Sequence, residues 1–169
     1  MSDTDTSLHA AVLYFSKSGN TAKMADVIAE GMGRVPGLTA KAFSLENADE
    51  DWIRNSRCLV LGSPIYVSSV AAPVKSWLDG PARGLGLPGK LGGAFATCDY
   101  VHGGGDLGIR LILDHMLVYG MLAYSGGGAC GKPVIHLGPV AIAGRLAEYR
   151  ETFLAFGERM AKKTVELFG

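Results

Sequence analysis

The sequence predicts an α/β fold in which helices cover both faces of a parallel β-sheet. Apolar runs alternate with segments of helical periodicity, and this β-α unit recurs five times along the 169 residues. The strand runs are mostly apolar throughout, which is typical of strands covered on both sides. Several of them end in loops rich in glycine and hydroxyl groups. Right-handed connections would bring those loops to one edge of the sheet, where ligands bind in such folds.

The individual elements follow from periodicity and from breaking residues. The first helix carries one apolar stripe and ends before Gly33, and the second strand alternates weakly, as expected of a less buried strand. The predicted strands are Ala10–Phe15, Leu38–Leu45, Cys58–Leu61, Leu91–Thr97 and Met121–Tyr124, the last interrupted by glycines and resumed at Val134–Leu137. The predicted helices are Thr21–Met32, Asn47–Asn55, Ala72–Asp79, Leu107–Tyr119 and Arg145–Phe168, with Asp106 as the cap of the fourth.

Length and composition exclude several classes of protein. We expect residues 9–169 to form one domain after a disordered tail of residues 1–8. Sixteen acidic and sixteen basic residues give zero net charge, and no basic stripe favours nucleic acid. The three cysteines are widely spaced and suggest neither a disulfide framework nor a metal site. No run is apolar enough for a membrane span and no secretory signal is apparent, so we expect a cytoplasmic protein.

The loop between the first strand and the first helix has the composition of a phosphate site. Its residues are Ser16-Lys17-Ser18-Gly19-Asn20-Thr21. Backbone N–H groups at a helix start lack partners within the helix, and the helix dipole favours negative charge there. Three hydroxyls and an amide add donors, and Gly19 permits a tight turn. The alternative is an ordinary strand-to-helix turn with a good cap.

Motifs later in the chain favour the phosphate site, because together and in the same order they resemble the motifs of one protein family. The stretch Tyr14–Thr21 resembles the phosphate loop of flavodoxin-like FMN proteins. Further stretches are similar to the NAD(P)H:quinone oxidoreductase, or WrbA-like, branch of that family: Gly62–Tyr66, Ala71–Asp79, Gly89–Phe95, His102–Gly105 and Tyr119–Leu122. The resemblance implies a flavodoxin-like three-layer sandwich with a five-stranded parallel sheet in the order 2-1-3-4-5. It also implies bound FMN and, as is often the case in this family, a homodimer or homotetramer. The predicted helix at residues 107–119 is apolar almost all round, so we expect it to pack against a second subunit.

The resemblance also implies which residues contact FMN. The phosphate would be held by Ser16, Lys17, Ser18, Gly19, Asn20 and Thr21. One side of the isoalloxazine would be lined by Ser63, Pro64, Ile65, Tyr66 and Val67. Its other edge and the ribityl chain would be contacted by Thr97, Cys98, Asp99, Tyr100, His102 and Gly103. Backbone donors near the ring nitrogens would tune the electronics of the flavin.

Two departures from the branch bear on activity. The quinone oxidoreductases commonly place an arginine and then an aromatic residue after the proline-containing turn, where this chain has Tyr66 and Val67. They also carry a histidine where this chain has Tyr119. The leading hypothesis is an FMN-dependent oxidoreductase that takes electrons from NAD(P)H and reduces a quinone or another small acceptor. The alternatives are an electron carrier of flavodoxin type and an FMN-binding subunit of a larger assembly.

No side chain is assigned as a catalytic acid or nucleophile, because FMN would carry the chemistry. Tyr66, His102 and Tyr119 are possible substrate contacts. His115 is more typical of a core or interface position. A thiol role for Cys98 would require a lowered pKa.

Overall fold

The computed structural model describes residues 8–169, so residues 1–7 of the predicted tail (residues 1–8) lie outside the described part of the chain. The last residue of that tail, Leu8, instead begins the first strand. Strands are β1 (Leu8–Tyr14), β2 (Leu38–Ser44), β3 (Ser56–Tyr66), β4 (Ser69–Val70), β5 (Leu91–Cys98), β6 (Leu122–Ala123) and β7 (Val140–Ile142). Helices are α1 (Asn20–Gly33), α2 (Glu50–Asn55), α3 (Ala72–Asp79), α4 (Gly105–Val118) and α5 (Leu146–Phe168). No described helix combines the length and the apolar character needed to cross a membrane.

The sheet has the predicted parallel order. Strands run β2-β1-β3-β5, and β6 and β7 both pair with β5 as two pieces of a fifth strand. All these pairs are parallel, and only the short β4 pairs antiparallel, with the end of β3. The flavodoxin-like fold class is therefore confirmed, with seven strands within residues 8–169 in place of five because the fifth is divided and β4 is added.

The core has two halves, one on each face of the sheet. One half lies under α3 and α4, and the other lies between the sheet and the helices α1 and α5. The helices α1 and α5 approach very closely through glycines. A Cβ atom at Gly157 would lie 2.2 Å from the carbonyl oxygen of Ile28, and one at Gly31 would lie 2.3 Å from that of Leu154. Only glycine, whose side chain is a single hydrogen atom, allows the two helices to cross at this distance.

The third strand is longer than predicted. The sequence Gly62-Ser63-Pro64 suggests a loop, yet these residues continue β3 and pair with β5, Pro64 lying opposite Thr97. Gly62 has a packing reason, since a Cβ there would lie 2.0 Å from the ring of Phe95. The predicted cap of α4 was also wrong. Gly104, with φ 94°, occupies the cap position, and Asp106 lies in the first turn without a capping bond.

The fifth strand resumes later than predicted. Residues 134–137 are not strand, and pairing with β5 begins again only at Val140. The nitrogen of Tyr124 donates to the Gly92 oxygen at 2.8 Å, and the nitrogen of Ala96 donates to the Pro139 oxygen at 3.1 Å. Between them the chain leaves the sheet for residues 125–138 and returns at Gly138, where a Cβ would lie 2.1 Å from the oxygen of Ala94. We call residues 125–138 the excursion.

Candidate functional site

The loop from Ser16 to Thr21 starts α1 without a side-chain cap. Gly19 is the cap residue, with φ 87°, and among residues 8–169 no side-chain hydrogen bond caps the helix. Asn20 Nδ2 instead donates to Ser18 Oγ at 3.2 Å. Within residues 8–169, the backbone amides of residues 16–21 find no backbone acceptor. The loop therefore keeps its donors free, unlike a turn that is closed by its own cap.

Ser16 tests whether this loop fits a phosphate. Its Oγ is buried and has no hydrogen-bond partner, one of only two such side-chain atoms in the described part of the chain. Buried hydroxyls are almost always bonded, so an orphan of this kind indicates a missing partner. A phosphate in the loop would supply oxygen acceptors to this hydroxyl and to the free amides. The donor set thus fits the phosphate group of FMN.

A buried hydrogen bond connects the phosphate loop to the next candidate loop. Thr21 Oγ1 and Thr97 Oγ1 lie 2.8 Å apart, although 76 positions separate them in the chain. Thr97 is at the end of β5, where β1 and β3 also end. A small cleft of about 30 Å³ opens at this edge. It is lined by Ser18, Asn20, Pro64, Ile65, Tyr66, Thr97, Cys98, Asp99 and Ala143. Eight of these nine residues belong to the sets proposed from the sequence.

A tight hairpin forms one wall of the cleft. Ile65 pairs with Val70 and Tyr66 pairs with Ser69, which leaves Val67 and Ser68 as a two-residue turn. Both turn residues have positive φ, 51° and 60°. Turns of this kind favour asparagine and glycine, and a β-branched residue with positive φ is strained. At the base of the hairpin, the buried Ser63 Oγ accepts from Ala71 N at 2.9 Å and donates to Pro64 O at 2.7 Å.

Replacing Val67-Ser68 by Asn-Gly is expected to raise the free energy of unfolding by about 1 kcal/mol. The fully exposed Val67 side chain loses no packing, while both backbone positions become favourable. Urea unfolding of the FMN-free protein measures the change. Ser68→Gly alone should give part of the gain, and a double variant no more stable than the parent would contradict the proposed strain.

The loop after β5 forms the opposite wall. Tyr100 does not line the cleft; its ring stacks on His102 at 5.6 Å between centroids, with 3° between the planes. His102 lines a neighbouring cavity of about 480 Å³ together with Asp106 and Tyr149. Burial, with Asp106 and Asp99 adding to it, raises the pKa of the Cys98 thiol. Cys98 therefore stays protonated at neutral pH and is not suited to nucleophilic chemistry.

The remaining sequence candidates lie outside the cleft lining. Ser63 is fully buried beneath it, and Val67 projects into solvent at the hairpin tip. Tyr119 lies at the other end of α4, where its hydroxyl donates to the Leu78 carbonyl. Of the residues that line the cleft, sequence reasoning missed Ala143, because that position follows the misplaced second half of the fifth strand. The candidates absent from the lining are Ser16, Lys17, Gly19, Thr21, Ser63, Val67, Tyr100, His102, Gly103 and Tyr119.

Comparison with known proteins supports the same assignment. No family model matches the chain. It is 38% identical to a flavodoxin from Clostridium saccharobutylicum, over 94% of this chain and 98% of that protein. It is 27% identical to an NAD(P)H dehydrogenase (quinone) from Cupriavidus metallidurans, over 94% and 98% of the two chains. A solved WrbA-like flavodoxin from Agrobacterium tumefaciens shares the fold, with a TM-score of 0.78 at 22% identity, covering 95% and 99%.

The first of these relatives decides the family, because its identity is high and the match covers nearly the whole of both chains. The parallel order of the sheet and the uncapped loop with its orphaned hydroxyl agree with it. The chain therefore belongs to the flavodoxin family of FMN-binding redox proteins.

Proposed function

We propose that this protein is an FMN-dependent oxidoreductase that accepts electrons from NAD(P)H and reduces a quinone or another small acceptor. FMN, when bound, supplies the acceptance and donation of electrons at its ring system. The chain's own residues bind and orient it. Free amides from Ser16 to Thr21 and the Ser16 hydroxyl would hold the phosphate, and Pro64 to Tyr66 would form a wall for the ring.

The observation that carries this proposal is the position of the two tyrosines. Tyr66 lines the cleft, whereas Tyr100 is turned away and stacks on His102. A flavin ring held over the cleft against Tyr66 would therefore have one aromatic wall, and its other face would stay open to a second planar molecule. A two-electron transfer from a nicotinamide needs such an open face, because the two rings must come into contact.

The test is anaerobic mixing of the FMN-loaded protein with NADH and, separately, with NADPH. Loss of the flavin absorbance at about one equivalent of nucleotide is the expected result. Protein of the same flavin content reduced by dithionite gives the full amplitude for comparison. If neither nucleotide reduces the flavin at millimolar concentration, the oxidoreductase proposal is wrong.

An electron carrier without its own substrate is the second candidate. The specific observation in its favour is the relative from Clostridium saccharobutylicum, a flavodoxin matched along nearly its whole length. The dehydrogenase relatives are 26 to 33% identical, several of them over about two thirds of their length. A carrier would show no reduction by either nucleotide, while dithionite would reduce it in two well separated steps.

Ser16→Ala is expected to weaken FMN binding by about 1.5–3 kcal/mol, which is roughly ten- to a hundredfold in Kd. The reason is the loss of a hydrogen bond to a charged phosphate. Because Ser16 Oγ has no hydrogen-bond partner among residues 8–169, the variant without FMN should keep its stability. Fluorescence titration with FMN and urea unfolding measure the two quantities.

Thr21→Val is the matched control for this experiment. It leaves the buried Thr97 hydroxyl without its partner, so stability should fall by about 1–3 kcal/mol even when FMN is absent. Equal FMN affinity for Ser16→Ala and the parent protein would remove Ser16 from the phosphate site.

We also propose that the protein self-associates through α4. Leu107, Leu117 and Val118 project from this helix and are more than half exposed. Burial of such side chains in a dimer would remove apolar surface from water. Light scattering at micromolar concentration is expected to give a dimer or tetramer, and Leu117→Glu should shift it to a monomer. A monomeric parent protein would refute the proposal.

A further inference from the structure

A second orphaned polar atom belongs to a residue that does not line the cleft. Within residues 8–169, Arg159 Nη1 is the other buried side-chain atom that lacks a hydrogen-bond partner. Nη2 of the same guanidinium donates to the carbonyl oxygens of Cys130 and Gly131, at 3.3 and 3.2 Å. The stem of Arg159 passes against Gly126, where a Cβ would lie 2.9 Å from Arg159 Cδ. Arg159 therefore ties the excursion to α5 and keeps one donor unused.

A cavity of about 380 Å³ lies beside Arg159. One wall is a face of α5, with Ala155, Glu158, Arg159 and Lys162 at helical spacing, and the other is the excursion, with Cys130 and Lys132. Three cations and one carboxylate thus line the cavity.

The charges of this cavity are poorly compensated. Lys132 has no ion-pair partner among the residues that the structure describes, and Lys162 lies 3.8 Å from Glu158. Glu158 is itself shared with Arg34, at 3.4 Å. Cations held together with too few counter-charges favour a bound anion.

We propose that this cavity is a second anion site that takes a phosphomonoester. A phosphomonoester carries about −1.5 to −2 charges at pH 7, which matches the excess of two cations over the one carboxylate. Its oxygens would accept from Lys132 and Lys162 and supply the acceptor that Arg159 Nη1 lacks. The Ser16–Thr21 loop has the same combination of unused donors and an orphaned buried atom, and there the fold calls for a phosphate.

The test uses the FMN-loaded protein, so that the Ser16–Thr21 loop is occupied. Inorganic phosphate and adenosine 2′,5′-bisphosphate are titrated by calorimetry in a low-salt buffer free of phosphate. Saturable binding that weakens with added salt is expected. Cys130 lines the same cavity, so either anion should also slow its alkylation by uncharged iodoacetamide, followed by mass spectrometry. Similar affinity for the two probes assigns the site to phosphate itself, and tighter binding of the bisphosphate assigns it to a nucleotide.

Two double variants, each of which removes two positive charges, test whether the anion binds in this cavity. Lys132→Gln with Lys162→Gln should weaken binding about tenfold and remove the protection of Cys130. Arg83→Gln with Arg110→Gln removes two positive charges from the α3–α4 side of the sheet and should leave both readouts unchanged. Absence of saturable binding in the parent protein overturns the proposal, as does unchanged binding in the Lys132 and Lys162 variant. Nucleotide reduction of the flavin is not used in this test, so its outcome is independent of the proposed oxidoreductase activity.

Discussion

Gly157→Ala is expected to lower the free energy of unfolding by about 3 kcal/mol. The added methyl group would lie 2.2 Å from the Ile28 oxygen and 3.0 Å from the Met32 nitrogen. Both atoms belong to the backbone of α1, so no side chain can turn aside. The helices α1 and α5 must separate, which loosens the packing of Phe153 and Phe156 in that half of the core. This cost exceeds the gain of about 1 kcal/mol that alanine brings to a helix.

Gly33→Ala provides a control with the opposite sign. Gly33 is in the last turn of the same α1, and nothing lies within 4 Å of a Cβ built there. Alanine should therefore raise stability by up to about 1 kcal/mol. Chemical unfolding of both variants, without FMN, gives the comparison. A Gly157→Ala protein as stable as the parent would mean that the two helices are not held at this distance.

Lys90→Met is expected to cost about 3 kcal/mol or more, since it removes three hydrogen bonds from a charged amine to backbone carbonyl groups. The Lys90 amine is buried and donates to the oxygens of Ile53, Arg54 and Ser56 at 2.6, 2.8 and 2.6 Å. Two of these carbonyls close α2, and helix ends need such partners. Burial, aided by Arg57, lowers the pKa of this amine to about 8. It therefore keeps all three protons at pH 7, one for each carbonyl.

Lys75→Met is the control for this change. Lys75 pairs with Asp79 on the exposed face of α3, and exposed pairs contribute at most about 1 kcal/mol. Thermal or urea unfolding at pH 7 should separate the two variants clearly. A similar small loss in both would show that water replaces the Lys90 amine at the end of α2.

Much of the fold could be predicted because the signals are local. A few neighbouring residues are enough to identify each of these features: the apolar runs of β1 and β5, the apolar stripe of α1 and the loop from Ser16 to Thr21. The parallel order follows from β-α alternation and from the resemblance to flavodoxin-like proteins. These features depend on periodicity and on backbone chemistry, which a single sequence carries.

Contacts between distant segments could not be predicted. The Thr21–Thr97 hydrogen bond joins residues 76 positions apart, and either threonine alone is typical of an ordinary loop. The role of Lys90 depends on carbonyls at residues 53, 54 and 56, which nothing near it in the sequence indicates.

The prediction of the fifth strand was wrong in its second half for a related reason. Residues 134–137 have the apolar composition of a strand, but pairing with β5 is decided by which residues return to the open edge. Gly138 can approach Ala94 without a side chain, and Pro139 accepts from Ala96, so hydrogen bonding to β5 resumes at Pro139 and strand pairing follows from Val140. The strained turn between β3 and β4 could not be predicted either, since Val67 and Ser68 do not match the residues that such a turn prefers.

The excursion is a segment whose length can change without disturbing the sheet. The outer edge of β5 is bonded at residues 90, 92, 96 and 98 by residues 122, 124, 139 and 143. Among residues 8–169 this edge is therefore interrupted only at Ala94. Each doubling of a loop's length costs only about 0.6 kcal/mol of closure entropy. The excursion can therefore change length while the strands on either side keep their register. Cys130 and Lys132 belong to this tolerant segment, whereas the Ser16–Thr21 loop is tied to Thr97. Changes in the excursion could thus alter the ligand preference of the proposed anion site without weakening the binding of FMN at the Ser16–Thr21 loop.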